Sequence, residues 1–221
     1  MHNKKAAIFD LDGTLLDTIK DLASSVNRAL AMRSLPPHSV GEVRSFIGNG
    51  ALMLVSRASG YSPESPECAA LRADFTADYK NHLADDTLPY PGIPELVKTL
   101  ADSGVKAAVV SNKDDSCVQI LIKKFFGENV TVSRGVRAES ERKPSPETTF
   151  EVLSVLGITP EEAVFIGDGK SDHDTAHNAG ITFVPVSYGY TDPAKFPAFC
   201  AETPCPDVPS LTAKLKEIFG I

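Results

Sequence analysis

Ala6-Ala7-Ile8-Phe9-Asp10-Leu11-Asp12-Gly13-Thr14-Leu15-Leu16-Asp17-Thr18 is the stretch that decides how this chain folds. Four apolar residues run straight into two carboxylates set two residues apart, and then into a glycine. A short apolar run bounded by turn residues has the character of a buried strand. A strand that ends in two acids concentrates negative charge at one point. That is costly unless a cation or a reaction requires it.

Working outward, four further short apolar runs share that character: Val105–Val110, Val130–Val132, Ala163–Ile166 and Thr182–Val186. Helical spacing of apolar residues lies between them, over Ile93–Leu100, Val118–Phe126, the segment opened by Pro146 and stopped by Gly157, and Ser210–Phe219. Strands alternating with helices predict an α/β fold, a doubly wound parallel sheet. One segment breaks the alternation. Thr18–Met32 is amphipathic, and helices are predicted over Val40–Phe46, Ala51–Ala58 and Cys68–Leu83, with no strand among them. The expected division is a core of residues 1–16 and 85–221 and an all-helical insertion of residues 17–84, with Pro89-Tyr90-Pro91-Gly92 as the return linker.

Composition narrows the function classes. The chain has 221 residues, 42% of them hydrophobic and 23% charged, a globular balance with enough length for a sizeable core. A net charge of −7 disfavours nucleic acid and anionic membrane as partners. No apolar run approaches a membrane span, and the first is interrupted by Asp10, so neither a signal peptide nor a membrane helix is expected. Cys68, Cys117, Cys200 and Cys205 form no CxxC pair, which favours free thiols and a cytoplasmic setting. The triplet Asn129-Val130-Thr131 carries no weight in that setting.

Four clusters fall where strands should end, the edge at which ligands bind in open α/β sheets. They are Asp10/Asp12, Ser111-Asn112-Lys113, Lys143-Pro144 and Gly167-Asp168-Gly169-Lys170-Ser171-Asp172. Hydrolysis of a phosphomonoester needs a nucleophile, a proton donor for the leaving alcohol, and positive charge on the phosphoryl oxygens. Asp10 suits the nucleophile and Asp12 the acid and base. Asp168 with Asp10 suits a Mg²⁺ site, and Asp172, four residues on, faces the same point from the next helix. Lys143 would offset phosphate charge, while Ser111 and Asn112 would bind phosphoryl oxygens.

In order and spacing these residues resemble the four motifs of the haloacid dehalogenase superfamily, from Ile8 to Tyr190. The resemblance implies a Rossmann-like core, a helical cap inserted after the first motif, an aspartyl-phosphate intermediate on Asp10, and the main-chain carbonyl of Asp12 as a further Mg²⁺ ligand. Phe46-Ile47-Gly48-Asn49-Gly50-Ala51, Val110-Ser111-Asn112-Lys113 and Ser187-Tyr188-Gly189-Tyr190 resemble the phosphoglycolate phosphatases in particular. That likeness implies a small phosphorylated metabolite, 2-phosphoglycolate first, with Gly48, Asn49 and Gly50 contacting it. Departures from the pattern are Gly169 where a hydroxyl residue is common, His173 and Asp174, and the charged run Arg134–Arg142.

Other readings stand beside these. Asp168 and Asp172 also fit a helix N-terminus and its cap, Lys143 competes with Lys113, Lys123, Lys124 and Lys170, and Asn49 suits a plain turn. The same scaffold serves a phosphosugar mutase or a pyrophosphatase. A mutase would need a basic cap site, yet Arg28, Arg33, Arg44, Arg57 and Arg72 form no cluster in sequence. A non-catalytic phosphate-binding module is a third possibility, against which Asp12 argues, since binding alone needs no proton donor.

Overall fold

The computed structural model describes residues 4–221. The chain divides into two compact units: one runs to Leu16 and resumes at Pro89, and the other is Asp17–Leu88. Strand β1 (Ala6–Phe9) opens the first unit, and the short strands β2 (Leu16–Asp17) and β3 (Leu88–Pro89) pair where the chain passes between units. The body of the second unit is α1 (Ile19–Ala31), α2 (Val40–Phe46), α3 (Gly50–Ser59) and α4 (Pro66–His82). The first unit then continues through α5 (Ile93–Asp102), β4 (Lys106–Asp114), α6 (Asp115–Phe125), β5 (Val132–Val136), α7 (Glu147–Leu156), β6 (Ala163–Gly167), α8 (Lys170–Ala179), β7 (Thr182–Pro185) and α9 (Val208–Phe219).

The five long strands form one parallel sheet in the order β5-β4-β1-β6-β7. This is the doubly wound α/β architecture that the alternation predicted. Every residue of β1 is buried, as a central strand covered on both faces requires. On one face Ala6, Ile8, Ala108, Val110 and Phe165 pack with Val152 and Leu153 of α7 and Ala176 of α8. The alternate residues Ala7, Phe9, Val109 and Ile166 face the other way and are equally buried. Strand order reverses at β1, between β4 and β6, so a crevice opens at the carboxyl ends of these three strands.

Two strands differ from expectation. β4 runs on through Ser111, Asn112, Lys113 and Asp114, with a register shift against β5 after Val110. β5 is Val132–Val136 rather than Val130–Val132. As an edge strand it accommodates Arg134, whose guanidinium reaches Glu151 at 2.6 Å, so its polar sequence hid it.

In the second unit α1 buries Leu22, Ala23, Val26, Ala29 and Leu30 along one stripe. Asp21 is buried on the same helix. Its carboxylate accepts from the main-chain N–H of Asp86 at 2.9 Å, and from the N–H and hydroxyl of Thr87 at 2.9 and 2.7 Å. Arg28 and Arg33 pair with Asp78 and Asp74 at 2.7 and 2.5 Å. All four cysteines are buried free thiols. Among the described residues, no helix is long and apolar enough to cross a membrane.

Candidate active site

Strand β1 delivers Asp10 to the crevice, and its N–H is held by the Ile166 carbonyl of β6 at 2.9 Å. The chain then turns tightly. The Leu11 carbonyl accepts from the N–H groups of Thr14, Leu15 and Leu16. The end of β6 supplies Asp168, and the first turn of α8 supplies Asp172. Gly167 permits this last approach: a Cβ there would collide with the Asp172 side chain. One oxygen of Asp172 accepts from the Gly169 N–H at 3.0 Å, so it caps α8 as well as facing the crevice. It therefore caps the helix and also stands with Asp10 and Asp168.

Asp10, Asp168 and Asp172 are all buried and each offers an oxygen within 4.8 Å of the others. Lys143 Nζ lies among them, 2.7 Å from Asp10 and 2.6 Å from Asp172, and it also donates to the Val110 carbonyl at 3.1 Å. Burial and the neighbouring Asp172 push the Asp10 carboxyl up to about 8, against the pull of Lys143. Burial and Asp172 likewise push Asp168 up to about 7, opposed by hydrogen bonds from the Tyr190 and Thr191 N–H groups at 2.5 and 3.3 Å. Burial alone would lower the Lys143 ammonium, but Asp10 and Asp172 outweigh it and hold it above the ordinary lysine range.

The pattern is an uncompensated anionic cluster. One ammonium cannot balance three buried carboxylates, and the elevated carboxyl values express the deficit. The donor set is oxygen only, as a hard divalent cation prefers. These residues could hold a metal ion.

The motif at the end of β4 divides its work. Ser111 is buried beside Asp10's strand, and its hydroxyl accepts from the Lys113 N–H at 3.3 Å. The Asn112 side chain is committed to Lys143: its Oδ1 accepts from the Lys143 N–H at 2.7 Å, and its Nδ2 donates to the Lys143 carbonyl at 3.3 Å. The side-chain amide is thus engaged with the lysine's main chain, which leaves any contact of Asn112 with phosphoryl oxygens to its backbone N–H. Lys143 is the lysine among the acids, ahead of Lys123, Lys124 and Lys170, and Lys170 pairs with Asp174.

Sequence reasoning placed Lys113 at the strand end and among the competing lysines, but did not pair it with Asp12. Its Nζ donates to both oxygens of Asp12, at 2.8 and 3.0 Å, with the lysine side chain only 5% exposed. It also missed the loop after β7, where Tyr190 and Thr191 cap Asp168. A Cβ at Gly189 would collide with the Gly13 carbonyl and with Asp168, so that glycine, visible between two tyrosines, was the available signal. His173 stands edge-on to Phe183 and Phe199 and bonds Asp174 at 3.0 Å, a packing role.

Gly48, Asn49 and Gly50 lie in the second unit, at the start of α3. Both glycines have positive φ, +116° and +74°. Arg57 bonds the Phe46 carbonyl and the Asn49 Oδ1, each at 2.7 Å, and so holds that loop.

Comparison with known proteins agrees with the site. The family model for haloacid dehalogenase-like hydrolases matches residues 7–186. A curated relative, N-acetylmuramic acid 6-phosphate phosphatase of Pseudomonas aeruginosa, is 36% identical over 195 residues, covering 88% of this chain and 86% of the relative. Phosphoglycolate phosphatase of Mannheimia succiniciproducens is 36% identical over 190 residues, covering 82% and 85%. A crystal structure from Lactobacillus delbrueckii subsp. bulgaricus, provisionally called a phosphoglycolate phosphatase, superposes with a TM-score of 0.88 at 32% identity, covering 99% of both chains.

Proposed function

This chain belongs to the haloacid dehalogenase-like hydrolases and is a phosphatase of phosphoric monoesters, and on that premise we propose that it hydrolyses a small anionic metabolite, 2-phosphoglycolate first, through an aspartyl phosphate on Asp10. The observation that carries this reading is Lys143 bridging Asp10 and Asp172, with Asp168 completing an oxygen cluster at the strand ends.

Asp10, Asp168 and Asp172, with the Asp12 carbonyl that the family resemblance adds, would hold Mg²⁺. When bound, the cation offsets the cluster's negative charge and that of the phosphoryl oxygens. An Asp10 oxygen attacks phosphorus while the bond to the ester oxygen breaks, and the Asp12 carboxyl gives its proton to the departing alcohol. Water then attacks the phosphorus of the acyl phosphate as Asp12 takes its proton. The Asp10–phosphorus bond breaks, and inorganic phosphate leaves with Asp10 restored. Lys143 holds Asp10 in place and stabilises the transferring group, and the Ser111 hydroxyl donates to a phosphoryl oxygen.

N-acetylmuramic acid 6-phosphate is the second substrate candidate, because a relative named for that ester matches at equal identity over slightly more of the chain. A mutase reading has less support. Arg28, Arg33 and Arg57 of the second unit are engaged with Asp78, Asp74 and the Asn49 loop, which weakens the case for a basic phosphate site.

The test is phosphate release from a panel of both esters, glucose phosphates and pyrophosphate, with Mg²⁺ or chelator. Activity should need the cation and vanish in Asp10→Asn. Chelator-insensitive release, or full activity of that variant, would sink the mechanism. Faster turnover of pyrophosphate or a hexose phosphate would overturn the substrate choice.

A further inference from the structure

The two lysines of the crevice do different work. Lys143 serves the cluster of Asp10 and Asp172, whereas Lys113 meets Asp12 through both of its oxygens. The polarity of β4 explains how Lys113 gets there. Past the register shift, Ser111 and Lys113 alternate with Asn112, and Asn112 turns to the Lys143 main chain. Gly135 of β5 packs so tightly against the Lys113 carbonyl that a Cβ there would collide with it, which fixes the strand where the lysine departs. The Lys113 side chain is almost wholly enclosed, and an enclosed ammonium is retained only where it is paired.

Contacts from one ammonium to both oxygens hold a carboxylate at a set distance and direction more firmly than a single charge-assisted contact does. Proton transfer depends on such placement, since a group must lie within hydrogen-bond reach of the atom it serves. We propose that Lys113 is the positioning residue for Asp12, setting the carboxyl where it meets the leaving oxygen. This rests on the reading of Asp12 as the acid and base.

The experiment separates leaving groups. An aryl phosphate expels a stable phenolate with little need of a proton, whereas an alkyl phosphate needs one. In the full chain with Mg²⁺, kcat/KM reports steps up to release of the alcohol. Lys113→Met should lower kcat/KM for an alkyl phosphate by about 100-fold, the low end of what general acid catalysis contributes, and change that for p-nitrophenyl phosphate by less than about 5-fold. Asp12→Asn should show the same selectivity. Equal losses on both esters would overturn the proposal and make Lys113 a phosphoryl ligand; no loss on either would make it a packing residue. If Lys113→Met does not fold, Lys113→Gln, similar in length and keeping a donor, decides by the same ratio. If Asp12→Asn itself lacks the selectivity, the acid–base reading falls; if it is selective and the Lys113 variants are not, only the present proposal falls.

Discussion

Asn112 grips Lys143 by its main chain, accepting from its N–H at 2.7 Å and donating to its carbonyl at 3.3 Å. The lysine that bridges Asp10 and Asp172 is thus aimed by an amide from a different strand end. Asn112→Ala should cost about 1–2 kcal/mol of stability, because it strands the Lys143 N–H. It should also lower kcat/KM about 10-fold by loosening the Nζ, on the scale known for small misplacements. Denaturant titration and steady-state kinetics check both; unchanged kinetics would mean that Lys143 is held by its side-chain partners alone.

Protonation should govern the stability of the chelator-treated protein. Asp10 and Asp168 are pushed up to about 8 and about 7 by burial and by Asp172, while an unfolded aspartate titrates near 3.9, so about pH 4 to 8 is the window in which the folded state binds more protons than the unfolded. The slope of stability with pH follows unfolded minus folded protons and is negative there. Stability should therefore fall as pH rises from about 4 to 8, and Mg²⁺ or Asp10→Asn should flatten the fall. Melting curves at the two ends of the window, with chelator or cation, decide it. A melting temperature that rises with pH in the chelated protein, with no effect of either change, would contradict the account.

Asp21 anchors the helical unit. Its buried carboxylate accepts from Asp86 and Thr87. Asp21→Ala removes the acceptor and leaves the N–H groups unpaired, so it should cost about 3 kcal/mol, within the range for hydrogen bonds to charged groups. Urea denaturation measures the loss, and a shift of the midpoint too small to detect would show that water replaces the carboxylate.

Gly167→Ala tests the approach of α8 to β6. The added methyl overlaps Asp172, which must move away from Lys143. A displacement of about 1 Å at such a point can cost about 100-fold in rate, and cation affinity should fall with it. Isothermal titration with Mg²⁺ alone and kinetics on the same sample measure the two; wild-type values in both would refute the packing argument.

Much of the architecture was legible because burial leaves a mark on composition. β1 and β6 are covered on both faces, so they are continuous apolar runs. β5 was misread because one side of an edge strand can be polar, and Arg134 and Gly135 concealed it. The end of β4 was cut short because its last residues serve the crevice rather than the core. Asp10, Asp12, Asp168 and Asp172 stood out as acids at strand ends, where charge is otherwise avoided. Lys143 was singled out by resemblance, since five lysines had the same chemistry and only the fold shows which stands between Asp10 and Asp172. Lys113 was legible as a strand-end residue but its role was not: its partner lies 101 residues away in sequence.

The distance along the chain between partners also sets an order of events during synthesis. Asp10 is made first of the three, its lysine follows 133 residues later, and Asp172 another 29 after that. At about 5–20 residues per second, the ribosome takes several seconds or more to supply the last acid. Until then Asp10 has no assembled cluster around it. A chain released between Lys143 and Asp172 would leave that lysine without its second carboxylate.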